Sequence, residues 1–519
     1  MMDEAISRFR ELLGADAVLT APDDLIDFRD PYWIPGDDTY DPSAVVLPSS
    51  IEEVQGVVRI ASEFGVPLWT TSTGRNYGYG GGSPRVGGSV TVSLRRMNRV
   101  LEVNSELAYA VVEPGVRWFD LYDAIEADGH DLMISIPDLG WGSVVGNSLD
   151  NGMTSGPNGA DFMAPCGLEV VLANGEVVRT GMGAMPDNKV WHLYKRGLGP
   201  VLDPLFMQSN YGIVTRMGFW LTPKPEAYAP LLLTAPHDSD LEAMVDTLRA
   251  LRLEGTLTGA PIIFNTLTAA WMASGGASFQ ADAGVMPDEA IQAMADSMGI
   301  GRWAVRCALW GPKEIVEARL ARIRAAWGLI AGSAVLHSRT YAPDEYHELE
   351  AAGDKSQAGI PNLDILKNFD GIGHVGFSPV VPLTGRDVRA AVDLFREFIE
   401  REANANFLPG IIVSNDRSCV VVTTTNFNLS DEEQVRRVYN AIKMLVRDAG
   451  EHGYGEYRAH LDFMDLAADQ YSFNDHAYRR FCETIKDAVD PNGILSPGRH
   501  GIWPKGMRGT QVPKSSSSS

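Results

Sequence analysis

The chain has 519 residues, 45% of them hydrophobic and 21% charged, the makeup of a folded protein with room for roughly two to four domains of about 100–200 residues. A formal net charge of −23 with no offsetting basic stripe excludes nucleic acid and anionic membrane surfaces as expected partners. Cys166, Cys307, Cys419 and Cys482 are widely spaced and form no CxxC pair, so neither a disulfide framework nor a metal site is expected, and reduced cytosolic thiols fit best.

The N-terminal stretch "MMDEAISRFRELLG" is acidic and amphipathic, unlike a secretory signal, and no run approaches about 18 apolar residues; the expected location is the cytoplasm. Next, "SSIEEVQGVVRIASEFG" predicts a helix, with Ser50 and Glu53 as a capping box and Val54, Val57, Val58 and Ala61 on one face. "VPLWTTS" and "SVTVSL" predict strands. Between them lies "TSTGRNYGYGGGSPRVGG", with seven glycines in the eighteen positions from Thr71 to Gly88. That density suits sharp turns or close backbone approach to a ligand. A strand-to-strand loop is neither a dinucleotide-binding Rossmann turn nor a Walker A loop, since both lead into a helix. It can still hold an anion through successive backbone N–H groups, with Arg75 nearby; alternatively it is only a hairpin tip.

Further on, "VVEPGVRWFDLYDAIEADG" reads as strand, turn and helix, and "GLEVVLANGEVVRTG" as a hairpin across Asn174 and Gly175. Between these lies a second glycine-rich segment, "PDLGWGSVVGNSLDNG". Two such loops in an α+β domain suggest an extended ligand bearing a pyrophosphate. The prolines of "LTPKPEAYAP" mark a boundary. Beyond it, Leu241, Met244, Val245, Leu248 and Leu251 share a helical face, and a Ser430/Glu433 capping box precedes Val435, Val438, Tyr439 and Ile442. Strand-like runs alternate with these helices, which predicts an antiparallel sheet covered by helices, built of two βαβ-like halves.

Taken in order, "TSTGRNYGYGG", "YAVVEPGV", "PDLGWGSVVGN", "GLEVVLANGEVVRTGMG", "QSNYGIVTRMGFWL", "GEYRAH" and "DAVDPNGILSPGR" resemble the vanillyl-alcohol oxidase family, which oxidises para-substituted phenols with FAD, from about residue 5 to residue 505. The resemblance implies an α+β fold of two domains: an FAD-binding domain at 1–225 completed by 460–507, and a cap domain at 226–459. Residues 508–519 are expected to be a flexible tail. It also implies a phenolate clamp of Tyr79, Tyr457 and Arg458, with Asp138 beside the flavin as base. Taken singly, that tyrosine could simply pack its ring, the arginine could be a solvated ion-pair partner, and the aspartate a turn residue.

For FAD, the resemblance implies that Ser72, Thr73, Gly74, Arg75, Asn76, Tyr77 and Gly78 cradle the pyrophosphate. Pro137, Gly142, Ser143, Gly146 and Asn147 would line the flavin side, Ile213 and Val214 the adenine region, and Arg499 is the basic residue after "SPG". The attachment departs from the family pattern. The segment aligned with the reactive histidine carries Cys419, or Ser418 at a one-residue slip, and no tyrosine stands near Phe369. Non-covalent FAD is the first expectation, a thioether at Cys419 the second, and another residue such as His374 the third. Small side chains in "NGMTSGPNGAD" suggest room for a bulkier, lignin-derived phenol.

The expected activity is an oxidase returning electrons to O₂ as hydrogen peroxide. Its alternatives are a dehydrogenase using a cytochrome or other acceptor, a flavoprotein acting on sugars or α-hydroxy acids, and a flavin-binding protein without catalysis. Relatives usually form dimers or larger assemblies, and the same is expected here.

Overall fold

The computed structural model describes residues 2–159, 163–274 and 284–509; Ala160 and Asp161, at the end of the small-side-chain stretch, and the tail from residue 510 lie outside the described residues. The first sheet orders its strands β1 (Val18–Leu19), β2 (Ala44–Val46), β4 (Val90–Ser93) and β3 (Leu68–Thr71). β3 and β4 are parallel neighbours, and the glycine loop makes the crossover that a helix usually makes between such strands. The helix Ile51–Phe64 buries Val54, Val57, Val58 and Ala61 as its periodicity predicts. Ser50 accepts from the Glu53 N–H, but Glu53 returns its bond to the N–H of Ser49 at 2.6 Å, so the predicted box closes one residue early.

A second, antiparallel sheet runs β5 (Val100–Asn104), β6 (Tyr109–Val112), β10 (Ile213–Trp220), β8 (Pro165–Val171) and β9 (Val177–Arg179). The β8–β9 hairpin turns at Asn174 and Gly175, as predicted. β7 (Leu132–Met133) pairs with β11 (Thr222–Pro223). The chain's far end returns to this half. Leu68 donates to Ile494 O at 2.7 Å, and Ser496 donates to Leu68 O at 2.8 Å.

The largest sheet is antiparallel, in the order β15 (Ala334–Leu336), β12 (Ala227–Ala235), β14 (Trp303–Gly311), β13 (Ile262–Asn265), β18 (Pro409–Ile412), β19 (Ser418–Asn428) and β16 (Ile372–Phe377). β17 (Val380–Pro382) pairs with β19. Helices Leu241–Leu253 and Glu432–Glu451 bury the faces read from the sequence. The cap of the second is Asp431, whose carboxylate accepts from the Gln434 N–H at 3.0 Å, not the predicted Ser430. The strand before the proline segment ends at Trp220, and Pro230 lies beyond it. It sits inside β12, where the neighbouring β15 pairs only Leu232–Thr234 and so asks no ladder hydrogen bond of the proline.

Among the described residues, no helix is long and apolar enough to cross a membrane, and no group of three or more His, Cys, Asp or Glu could hold a metal ion.

Candidate active site

The glycine loop, the helix Val144–Leu149, the start of β10 and the C-terminal return line a partly open cavity. Ser72, Thr73, Gly74, Arg75 and Asn76 line it with Gly142, Ser143, Gly146, Asn147, Ile213, Val214 and Arg499. Ser143 caps the short helix by accepting from the Gly146 N–H at 2.9 Å. A Cβ on Gly146 would come within 2.2 Å of Ser72 Oγ and force that hydroxyl to turn away. This contact brings the second glycine-rich segment against the first.

The lining suits an extended anionic ligand. Among the described residues, the backbone N–H groups of Thr73, Gly74, Arg75 and Asn76 donate no hydrogen bond to the protein. Thr71 Oγ1, Asn210 Oδ1 and Arg458 Nε are buried without a partner on the same walls. Arg75 stacks 5.0 Å from the Trp141 ring centroid. The open loop N–H groups, the Thr71 hydroxyl and Arg75 are donors that fit the diphosphate of FAD; Asn210 Oδ1 is an acceptor and Arg458 stands at the other end of the cavity.

At the inner end, Tyr79 and Arg458 share the cavity. The Arg458 guanidinium lies 4.5 Å over the Tyr79 ring and donates to Asn76 Oδ1. The Tyr79 hydroxyl is hydrogen-bonded to Ser378 Oγ at 2.6 Å. Burial pushes the Tyr79 hydroxyl up from its ordinary range despite Arg458 and Ser378, and pushes Tyr457 up as well. Burial opposes the charge of Arg458, but Asp150 and both tyrosines more than offset that and hold the guanidinium protonated. Tyr457, next to Arg458 in the chain, lines a neighbouring, partly open cavity with Asn151, Met153 and Glu456. Glu456 is buried with an unpartnered Oε2, and burial drives its carboxyl well above the usual range.

Other predicted residues sit outside the first cavity. Asp138 is bound by Arg306 Nη2 at 3.0 and 2.9 Å to its two oxygens. Its neighbour Pro137 precedes that contact and does not line the cavity. Tyr77 packs edge-on against Tyr32 and Trp141. The Gly78 carbonyl accepts from the Gly376 N–H at 3.0 Å, tying the loop to β16; with φ +80° and His374 Nε2 2.5 Å from where a Cβ would stand, only glycine fits there. Cys419 is not brought to this site. It is fully buried in the core of the large sheet, its thiol directed at Val381 O, and burial pushes that thiol up to about 12.

Residues 42–181 match the FAD binding domain family. Over 513 residues the chain is 34% identical to the 4-cresol dehydrogenase [hydroxylating] flavoprotein subunit of Pseudomonas putida, covering 96% of this chain and 95% of that one. The chain belongs to the vanillyl-alcohol oxidase family of FAD-dependent oxidoreductases. FAD is its cofactor. Within the family, the solved 4-ethylphenol oxidase from Gulosibacter chungangensis, in complex with isoeugenol, is 38% identical with a TM-score of 0.91 over 98% of both chains. The 1'-carboxy-chondrochloren decarboxylase of Chondromyces crocatus is 31% identical over 97% of this chain and 98% of its own. The fold is the α+β fold the resemblance implies.

Five residues escaped the sequence reading: Asp150, Gln208, Arg306, Ser378 and His500. Asp150 and Gln208 stood inside quoted motifs, but nothing local distinguishes them from turn residues. Their partners are hundreds of positions away: Arg499 donates to Asp150 Oδ1 at 3.0 Å, and Gln208 Nε2 to Tyr457 O at 2.9 Å.

Proposed function

We propose that this protein oxidises para-substituted phenols at the benzylic carbon, holding the substrate as its phenolate among Tyr79, Tyr457 and Arg458. The carrying observation is the buried Arg458 guanidinium over the Tyr79 ring, inside the cavity that suits FAD, with a nitrogen still lacking a partner. A buried cation with an open donor favours the ionised form of a hydroxyl set against it, and the tyrosines add hydrogen bonds. The 4-cresol dehydrogenase and the 4-ethylphenol oxidase, named for para-alkyl phenols, support the reading.

Bound FAD supplies the hydride acceptor. The ionised oxygen pushes electron density towards the para carbon, so departure of a benzylic hydride leaves a p-quinone methide. Asp138, oriented by Arg306, is the base for water or for an alcohol hydroxyl. In this reading residues 1–225 with 460–507 hold the cofactor and 226–459 cover it. Anaerobic reduction of the bound flavin by 4-ethylphenol or vanillyl alcohol tests the proposal. Flavin left oxidised by every such phenol, but reduced by a sugar or an α-hydroxy acid, would overturn it.

Oxygen is the proposed acceptor, giving hydrogen peroxide, and the 4-ethylphenol oxidase relative supports it. The 4-cresol dehydrogenase relative is named as a flavoprotein subunit and favours a separate acceptor such as a cytochrome. Steady peroxide formation in air without an added dye decides between them. The cavity beside Tyr457, lined by Asn151 and Met153, supports a bulkier ring, with dimethoxylated phenols turning over at least as well as unsubstituted ones.

For attachment, a thiol at about 12 is the reverse of what thiolate attack needs. His374 abuts Gly78, has an unpartnered Nδ1, and is pushed by burial down to about 4, so its imidazole is neutral and nucleophilic near pH 7. A covalent link, where one forms, falls on His374 and not on Cys419. The mass of the denatured chain and of its His374→Ala variant tests this assignment.

A further inference from the structure

The buried charges at the inner end of the first cavity do not balance. Two guanidiniums, Arg458 and Arg499, face one carboxylate, Asp150. Arg499 donates to its Oδ1 at 3.0 Å, while the Arg458 Nη2 lies 3.9 Å from its Oδ2, an ion pair without a hydrogen bond. His500 is the third group against the carboxylate, 3.8 Å away, and burial lowers that imidazole's affinity for protons. Tyr79, Tyr457 and Glu456 are the other titratable groups around the pair. Burial alone would raise Asp150, but Arg499, His500 and Arg458 hold it far below the usual carboxylate range.

The backbone carrying Asp150 is fixed as tightly as its charge. The residue ends the helix Val144–Leu149, its N–H donating to Gly146 O at 3.2 Å. Its own carbonyl accepts from Gln208 Nε2 at 3.2 Å, and the same amide donates to Tyr457 O at 2.9 Å. Gln208 adopts φ +45°, a strained conformation for a residue with a side chain, and its N–H is anchored on Leu149 O at 2.7 Å. The Gln208 amide therefore staples the backbone of Asp150 to that of Tyr457, the residue before Arg458.

We propose that Asp150, seated by Gln208, is the positioning residue of the clamp: it divides one carboxylate between Arg499 on the cofactor side and Arg458 on the substrate side. It thereby sets the direction of Arg458 and the positive charge that an incoming anionic oxygen meets. This inference rests on the phenolate reading above.

Asp150→Asn keeps the shape and removes the negative charge. Binding of unsubstituted phenol, read as a perturbation of the bound flavin's visible spectrum, should then tighten on the order of tenfold. The kcat for 4-ethylphenol should fall on the order of tenfold, because Arg458 is no longer held. Asp150→Glu should restore the phenol dissociation constant to near the wild-type value. Unchanged binding and turnover, or weaker binding together with a lower Tm, would overturn the positioning role and leave Asp150 inert or merely structural. Should Asp150→Asn not fold, Gln208→Ala, which leaves every charge in place, should lower kcat with the phenol dissociation constant within about twofold of wild type; unchanged kcat there also overturns it. Wild-type enzyme that binds no phenol overturns the phenolate reading and this inference together, whereas wild-type binding that Asp150→Asn leaves unaltered overturns this inference alone.

Discussion

Two buried cation–carboxylate pairs, at opposite stages of completion, show how structural and functional charge differ in this protein. Lys486 and Asp490 have fully buried side chains 2.7 Å apart. The remaining ammonium donors reach Asn210 O at 2.7 Å and Leu495 O at 2.6 Å, and the carboxylate also accepts from the N–H groups of Ile494 and Leu495. Three donors meet three acceptors, and the result ties the last helix to the chain's return along β3. Arg458 is less completely enclosed, with 16% of its side chain exposed; its nearest carboxylate is 3.9 Å away and shared, and its Nε has no partner. A finished pair holds the fold, whereas an unfinished one leaves a position for an anion.

The contrast can be broken by variants. Lys486→Met should have the largest effect on stability, about 3–5 kcal/mol in urea unfolding, because Asp490 is left charged and unpaired. Its activity per folded molecule should be unchanged; an unaltered midpoint would mean that completeness of the pair does not measure structural weight. Arg458→Ala should do the opposite, losing roughly 10²–10³ in kcat/KM towards phenols while the unfolding free energy stays within about 1 kcal/mol of wild type. A collapse of stability in that variant would make Arg458 a structural residue.

A smaller effect concerns pH. The folded-state pKa of His374 is about 4 against an ordinary 6.5, so between these values the unfolded chain binds more protons and stability rises with pH. Stability due to the neutral ring is therefore present above about 6.5 and lost as pH falls towards 4. Thermal unfolding from pH 7 to pH 4 should show this loss, and His374→Gln should flatten it. Smallest is Cys419→Ala, at about 1 kcal/mol for a small core truncation, with flavin retention and spectrum unchanged. Flavin lost from the denatured chain in that variant alone would restore the thioether reading.

The cofactor end was legible because its requirements are local. Loop glycines at positive φ, such as Gly74, Gly78 and Gly80, leave a mark in the sequence, and so do the helix faces led by Val54 and Leu241. The proposed clamp is suggested only by resemblance, since Tyr79 and Arg458 stand 379 residues apart in sequence (458 − 79) and each alone is an ordinary side chain. Asp150, Gln208 and Arg306 were missed for the same reason: each acts through a partner from a distant segment, and an aspartate after "NSL" looks like a turn. Cys419 was open to two readings, a thioether to the flavin or a buried strand cysteine; its place on β19, pointing into the core towards Val381, comes from the pairing of β17 with β19. At the predicted Ser430 cap, two neighbouring residues can both cap a helix, and Asp431 does so.

The most direct test of the phenolate clamp is the proton count on binding. Titrating the oxidised holoenzyme with unsubstituted phenol in weakly buffered solution near pH 7 should release about one proton per bound ligand, since a phenol of pKa about 10 must ionise to meet Arg458. The Arg458→Ala variant should bind far more weakly and release none. Wild-type binding without proton release would mean that the phenol is held neutral, and would contradict the role assigned to Tyr79, Tyr457 and Arg458.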